Sequence, residues 1–171
     1  KVLVGTPTFS GCEYCLAAYA TAVKSLTYKN YDILMVDNSP DNEYLEQLRQ
    51  HGLKAIKGPY SESARKRIIS SRNLLREHAI ANNYDFLLSL EQDVIPPINI
   101  IERMLSHKKK VVSGIYFNRD TTGQLYPLAY TISREHPNEL PDMQPLIHEE
   151  LFSNSLIPII SAGLGCLLIH R

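Results

Sequence analysis

The segment Leu87-Leu88-Ser89-Leu90-Glu91-Gln92-Asp93-Val94 sets two carboxylates two residues apart directly after an apolar run, and Pro96-Pro97 follows. Carboxylate oxygens are hard ligands that suit Mg²⁺ or Mn²⁺, ions that commonly also bind substrate phosphates. If the apolar run is a strand, Glu91 and Asp93 point to one face and Gln92 to the other, so both acids could serve one ion. The same residues also suit a solvated turn after a buried strand, and spacing alone does not separate the two readings. A second acid has a similar setting. Asp37 ends the run Asp32-Ile33-Leu34-Met35-Val36 and precedes the turn residues Asn38-Ser39-Pro40.

The elements that would carry these acids alternate between strand and helix patterns. Lys1 to Thr6 reads as a buried first strand stopped by Pro7. Leu16, Tyr19, Ala20, Val23 and Leu26 recur at helical spacing, which predicts a helix over Glu13 to Leu26. Asp32 to Asp37 is the second strand. Asp41 or Asn42 then caps a helix carrying Tyr44, Leu45 and Leu48, closed by His51-Gly52. Leu53 to Ile56 is a short third strand. A long helix over Glu62 to Asn82 follows, with Ile68, Ile69, Leu74, Leu75, His78 and Ala79 on its apolar side and Arg65, Lys66, Arg67 and Arg72 in its first half. Asp85 to Leu90 is the fourth strand, Pro97 to His107 a helix and Val111 to Phe117 the fifth strand. Such alternation with short connections predicts an α/β fold with a largely parallel open sheet flanked by helices. Ligands of such sheets bind at the carboxyl ends of the strands, where Asp37 and Asp93 both fall. From Asp120 to Pro158 the pattern fades into a Pro-rich, polar excursion containing Tyr126 and Tyr130, and strand character returns at Ile159-Ile160 and over Leu164 to Ile169.

Bulk properties narrow the function classes. With 171 residues the chain suffices for one domain, and 18 basic against 18 acidic residues give no net charge. That balance argues against nucleic acid as a partner. No apolar run approaches the roughly 18–20 residues of a membrane span, and no signal-peptide pattern is visible. Three cysteines, Cys12, Cys15 and Cys166, without a secretory signal lead to an expectation of reduced thiols and a cytoplasmic setting. Cys12-Glu13-Tyr14-Cys15 is formally a C-x-x-C, but with no second pair for zinc it reads as the residues of a helix start. The chain stops at Leu168-Ile169-His170-Arg171 straight after an apolar run, so a longer native chain is expected.

Taken in order, these residues resemble the nucleotide-diphospho-sugar transferases of the GT-A fold, most closely the family 2 type. The matching stretches are Pro7-Thr8-Phe9 after the first strand, Val36-Asp37-Asn38-Ser39 after the second and Ser71-Arg72-Asn73 in the long helix. Glu91-Gln92-Asp93 stands where the family has D-x-D, and Ser161-Ala162-Gly163-Leu164-Gly165 leads into the last strand. The resemblance covers nearly the whole chain. It implies a single GT-A-like domain over 1–171, with 1–119 as the nucleotide-binding half and 120–171 as the acceptor-side half. It implies a glycosyltransferase that takes a nucleotide-diphospho-sugar donor, an unspecified glycan, lipid or protein acceptor, and Mn²⁺ or Mg²⁺. Thr6, Pro7, Thr8, Asp37, Asn38, Arg65, Arg72 and Gln92 would meet the nucleotide, with Gln92 near the ribose. Asp93 and Glu91 would hold the metal, with His170 as a third ligand, and Gly163, Ala162 and Tyr116 would border the sugar and acceptor.

Each residue also has a simpler reading. Asp37 suits a helix-preceding cap, Arg72 a surface ion pair and Gly163 a tight turn. Lys66 and Arg67 suit a solvated face, His148-Glu149-Glu150 an exposed charge run and His170 an incidental chain-end histidine. Two departures from the family stand out. The first acid is Glu91 rather than Asp, one methylene longer. The family's catalytic base lies beyond the Gly-rich strand, so in this chain it is expected either from 120–158 or not at all. The alternatives are a non-catalytic nucleotide- or partner-binding module of the same fold and a sugar-phosphate nucleotidyltransferase. The latter would favour a basic residue after the first strand, which Thr8-Phe9-Ser10-Gly11 lacks.

Overall fold

The computed structural model describes residues 1–137, 139–153 and 155–171. Strand β1 (Val2–Thr8) is buried along its whole length. Its side chains alternate between two cores. Val2 and Val4 face a large cluster with α1 (Leu16–Lys24), α2 (Glu43–Gln50) and α4 (Ile100–Ser106), while Leu3 faces a smaller one with α3 (Ala64–Ala81). That two-sided burial is why the strand reads as a continuous apolar run. It pairs in parallel with β2 (Tyr31–Asp37) and β4 (Phe86–Leu90), and β2 pairs in parallel with β3 (Ala55–Lys57).

The six-stranded sheet has the order β3-β2-β1-β4-β11-β5, with β5 at Val111–Ser113 and β11 at Cys166–His170. Strand β11 runs antiparallel to both β4 and β5, so the sheet is mixed but mostly parallel, as expected. The last strand of the chain therefore sits inside the sheet that residues 1–119 build. No helix among the described residues is long and apolar enough to cross a membrane.

Several local expectations are corrected. The helix expected over Glu13 to Leu26 is split into a 3-10 helix (Ser10–Cys15) and α1. The expected fifth strand stops at Ser113, and Phe117–Arg119 (β6) leaves the main sheet to pair with β7 (Leu125–Pro127). The excursion is also more regular than its composition shows. Strands β8 (Ala129–Arg134), β9 (Asp142–Pro145) and β10 (Ser161–Ala162) form an antiparallel sheet beside a short helix, α5 (His148–Leu151). These strands are too short and too polar to declare themselves by alternation, and long-range pairing holds them. On α3 the buried face is Ser71, Leu75 and Ala79, whereas Ile68 and Ile69, placed on the apolar side by spacing, are exposed. Ser63 caps this helix by accepting from the Lys66 amide at 3.4 Å.

Burial grades the sheet positions. Leu88 on β4 is fully buried opposite Val4 and Leu168, while Val111 on edge strand β5 is 56% exposed. Leu88→Ala should lose about 2–5 kcal/mol of unfolding free energy. Val111→Ala should stay within about 0.5 kcal/mol of the parent. Urea unfolding of the two variants at matched slope measures both.

Candidate functional site at the carboxyl edge of the sheet

Strands β1, β2 and β4 end side by side, with Thr8 opposite Asp37. Strand β4 ends at Leu90, so Glu91, Gln92 and Asp93 lie in a turn closed by Val94 N–H donating to the Glu91 carbonyl at 3.1 Å. The strand geometry expected for the two acids is thus replaced by turn geometry. Gln92 still separates from its neighbours, being 2% exposed. Its Nε2 donates to the Tyr44 hydroxyl at 2.7 Å and to the Cys12 carbonyl at 2.8 Å, and its Oε1 accepts from the Thr8 hydroxyl. This side chain, expected near a ribose, instead joins β1, α2 and the 3-10 helix. Burial pushes the Tyr44 phenol up to about 12, against the lowering effect of its hydrogen bonding with Gln92.

With Gln92 turned inward, Glu91 and Asp93 stand outside it. Asp93 is exposed, and no ion pair or side-chain hydrogen bond engages it among the described residues. Glu91 is half-buried and accepts from Arg72 Nη2 at 2.8 Å. Desolvation raises the Glu91 carboxyl above its ordinary value despite the Arg72 charge, and desolvation also lowers the Arg72 guanidinium. Arg72 Nη1 donates to the Ser89 hydroxyl and to the Leu164 carbonyl, the latter at 3.2 Å. Arg72 therefore ties α3 to the end of β4 and to the Gly-rich turn.

That turn is packed too tightly for side chains. A Cβ at Gly163 would lie 1.9 Å from the Tyr116 hydroxyl, and one at Gly165 would lie 2.6 Å from the Tyr116 ring and 2.7 Å from Glu91 Oε2. The Gly165 amide donates to Tyr116 at 2.8 Å, and the Glu91 amide donates to the Gly165 carbonyl at 2.9 Å. Tyr116, Gly163, Gly165, Glu91 and Arg72 form one cluster. Ala162 pairs with Ala129 in the small antiparallel sheet.

Asp37 takes a different part. It is fully buried, accepts from the Ser39 amide at 3.0 Å and the Ser39 hydroxyl at 2.5 Å, and pairs with Lys57 at 2.8 Å. Asn38 donates to the Ser71 hydroxyl at 3.1 Å, and its amide donates to the Thr8 carbonyl at 2.9 Å. The Thr6 hydroxyl is buried against Tyr19, and Pro7 is buried beside it. These residues anchor the edge from within.

Two further placements are corrected. His170 pairs across from Phe86, at the far end of β4 from Glu91, and its ring packs on Phe86 with centroids 4.7 Å apart. Because β11 is antiparallel, its last residue lies at the opposite edge, about 13 Å away at ~3.3 Å per residue, which removes it from any metal site with Asp93. Arg65 is exposed, while Arg67, read as solvated, lies half-buried with its guanidinium 5.7 Å from the Phe9 ring and 5.7 Å from the Tyr60 ring. Arg67 also donates to the Ser61 carbonyl at 2.5 Å and the Glu62 carbonyl at 3.0 Å. From the sequence, Phe9 stands out only within Pro7-Thr8-Phe9 and Arg67 only as a solvated charge, and Tyr60 has no assigned role. The signal was two exposed aromatics in loops that each follow a parallel strand.

As a cation site, the turn offers two hard carboxylates, Asp93 and the Glu91 Oε2 that Arg72 does not hold. Among the described residues no third His, Cys, Asp or Glu joins them. Two carboxylates suit an ion that completes its shell with phosphate oxygens and water, so the donor set fits Mg²⁺ or Mn²⁺.

No protein-family profile matches this chain, and no curated protein matches it in sequence. Solved structures do match its fold. The crystal structure of S. aureus TarS matches with a TM-score of 0.50 at 18% identity, over 65% of this chain and 20% of that one. A structure of CMP:2-keto-3-deoxy-manno-octonic acid synthetase complexed with CTP matches with a TM-score of 0.54 at 12% identity, over 99% of this chain and 74% of that one. The chain thus spans only about a fifth of the length of TarS. At such identities the likeness is one of fold alone, and the chain has a GT-A-like α/β fold.

Proposed function

We propose that the chain binds a nucleotide-diphospho-sugar at the carboxyl edge of β1, β2 and β4 and passes the sugar to an acceptor hydroxyl or amine. The observation that carries this reading is the gathering at one edge of a charged turn and an aromatic-cationic face. The exposed Asp93 shares its turn with Glu91, which pairs with Arg72, and Phe9, Tyr60 and Arg67 present two exposed rings around a guanidinium. A planar base suits the rings, and a diphosphate suits the turn with a divalent cation.

In the transfer, the acceptor atom attacks the anomeric carbon while the bond from that carbon to the diphosphate oxygen breaks, and the acceptor proton passes to a base. The leaving diphosphate gathers negative charge, which a bound divalent cation would neutralise as a Lewis acid. Asp93 and Glu91 Oε2 would hold that ion. Arg72, fixed by Ser89 and Leu164, places a permanent positive charge beside the same turn. Tyr116 fills the space that side chains at Gly163 and Gly165 would take.

A nucleotidyltransferase is the second reading, favoured by the fold likeness to the CTP-bound synthetase over nearly the whole chain. Against it, the loop Phe9-Ser10-Gly11 after β1 carries no cation for a triphosphate.

Calorimetry with UDP, GDP, CDP, TDP and CTP, each with and without Mn²⁺, separates these readings. One diphosphate should bind in a Mn²⁺-dependent way, and Asp93→Ala should remove that dependence. Binding of CTP in preference to every diphosphate would turn the assignment to the second reading. No binding of any nucleotide would overturn both. For the diphosphate that binds, Phe9→Ala and Tyr60→Ala should each weaken affinity by about 1–3 kcal/mol, the usual worth of a base stacked on an aromatic ring.

A further inference from the structure

Arg72 reaches the acidic turn from the middle of α3 and is held at three points: the Ser89 hydroxyl, the Leu164 carbonyl and Glu91 Oε1. Glu91 is its single carboxylate partner among the described residues. The guanidinium is half-buried, and the groove behind it is apolar, about 380 Å³ and lined by Leu75, Ala79 and Leu87 among others. A charge seated in this way does not swing freely into water, so its field acts on the turn continuously. An opposite charge within about 4–6 Å typically stabilises a carboxylate against protonation by about 1–3 pKa units. The same positive charge disfavours any other cation that approaches that carboxylate.

The local charges make the point quantitative in sign. Glu91 and Asp93 together carry two negative charges, and Arg72 returns one positive charge. A divalent ion arriving alone meets two carboxylates, one of them already paired with a fixed cation, and one net negative charge in all. An ion arriving with a diphosphate meets the same protein charges, but the ligand brings its own negative charge, to which both the ion and Arg72 are attracted.

We propose that Arg72 is a resident counter-cation with which a divalent ion must compete at Glu91, holding the affinity of the empty site for the ion low and coupling ion binding to diphosphate binding. The purpose assigned to this coupling rests on the reading of the site as one for a nucleotide diphosphate. The competition itself does not, and it is tested without nucleotide.

Titration of Mn²⁺ alone, followed by the electron paramagnetic resonance signal of the free ion, reads the competition directly. Arg72→Gln should bind Mn²⁺ about tenfold more tightly than the parent, the low end of what one adjacent unit charge does to a carboxylate. Arg72→Met, which keeps an apolar stem against the groove, should shift in the same direction and covers the case in which Arg72→Gln does not fold. Arg72→Lys keeps the charge and should stay within about threefold of the parent. The gain from Arg72→Gln should largely vanish in a Glu91→Gln background, because coupled sites are not additive. Equal Mn²⁺ affinity in the parent and both neutral variants, or an equal gain with and without Glu91, overturns the proposal. So does an absence of Mn²⁺ binding in every variant. Mn²⁺-dependent binding of a nucleoside diphosphate would then leave the functional reading standing and this competition alone rejected.

Discussion

The arrangement of the edge depends on one buried amide. Gln92 sits between the two acids of the turn, and its side chain is spent entirely inside the protein on Thr8, Tyr44 and the Cys12 carbonyl. A buried amide is worth little net when paired, but each partner left unpaired costs about 1–3 kcal/mol, so the network tolerates few alternatives. Holding Gln92 inward forces Glu91 and Asp93 to the outside of the turn. It also joins the ends of β1 and β4 to α2 and the 3-10 helix. The position of both carboxylates is therefore a consequence of core satisfaction, not of the surface.

Strand-end acids meet three different fates at this edge. Asp37 is fully buried and held by Lys57, itself 29% exposed, and by the Ser39 amide and hydroxyl, and these hydrogen bonds offset the loss of water around the carboxylate. Glu91 is partly desolvated and held by Arg72. Asp93 is exposed. The gradient from buried to exposed separates the residue that stiffens the edge from the residue most open to a ligand. It also places a fixed cation between the two roles.

The small antiparallel sheets complete the other wall. Strand β10 pairs with β8, and the turn that follows runs under Tyr116 before β11 enters the main sheet between β4 and β5. The excursion and the main sheet are thereby locked together at Gly163 and Gly165, where any side chain would strike Tyr116.

By itself the sequence determined the alternation of strands and helices, the mostly parallel sheet, and the acids at the ends of β2 and β4. These are properties of burial period and turn chemistry, which act over a few residues and so leave a local pattern. Tertiary structure alone decided that Gln92 turns inward, that Arg72 claims Glu91, that Arg67 rather than Arg65 meets the exposed rings and that β11 runs antiparallel. The last of these carries His170 to the wrong edge for a metal. Each depends on partners far apart in the chain, such as Thr8 with Gln92 at a separation of 84 residues and Arg72 with Leu164 at 92. A side chain's partner is set by which strand lies beside which and in what direction, and no periodicity within one segment carries that information.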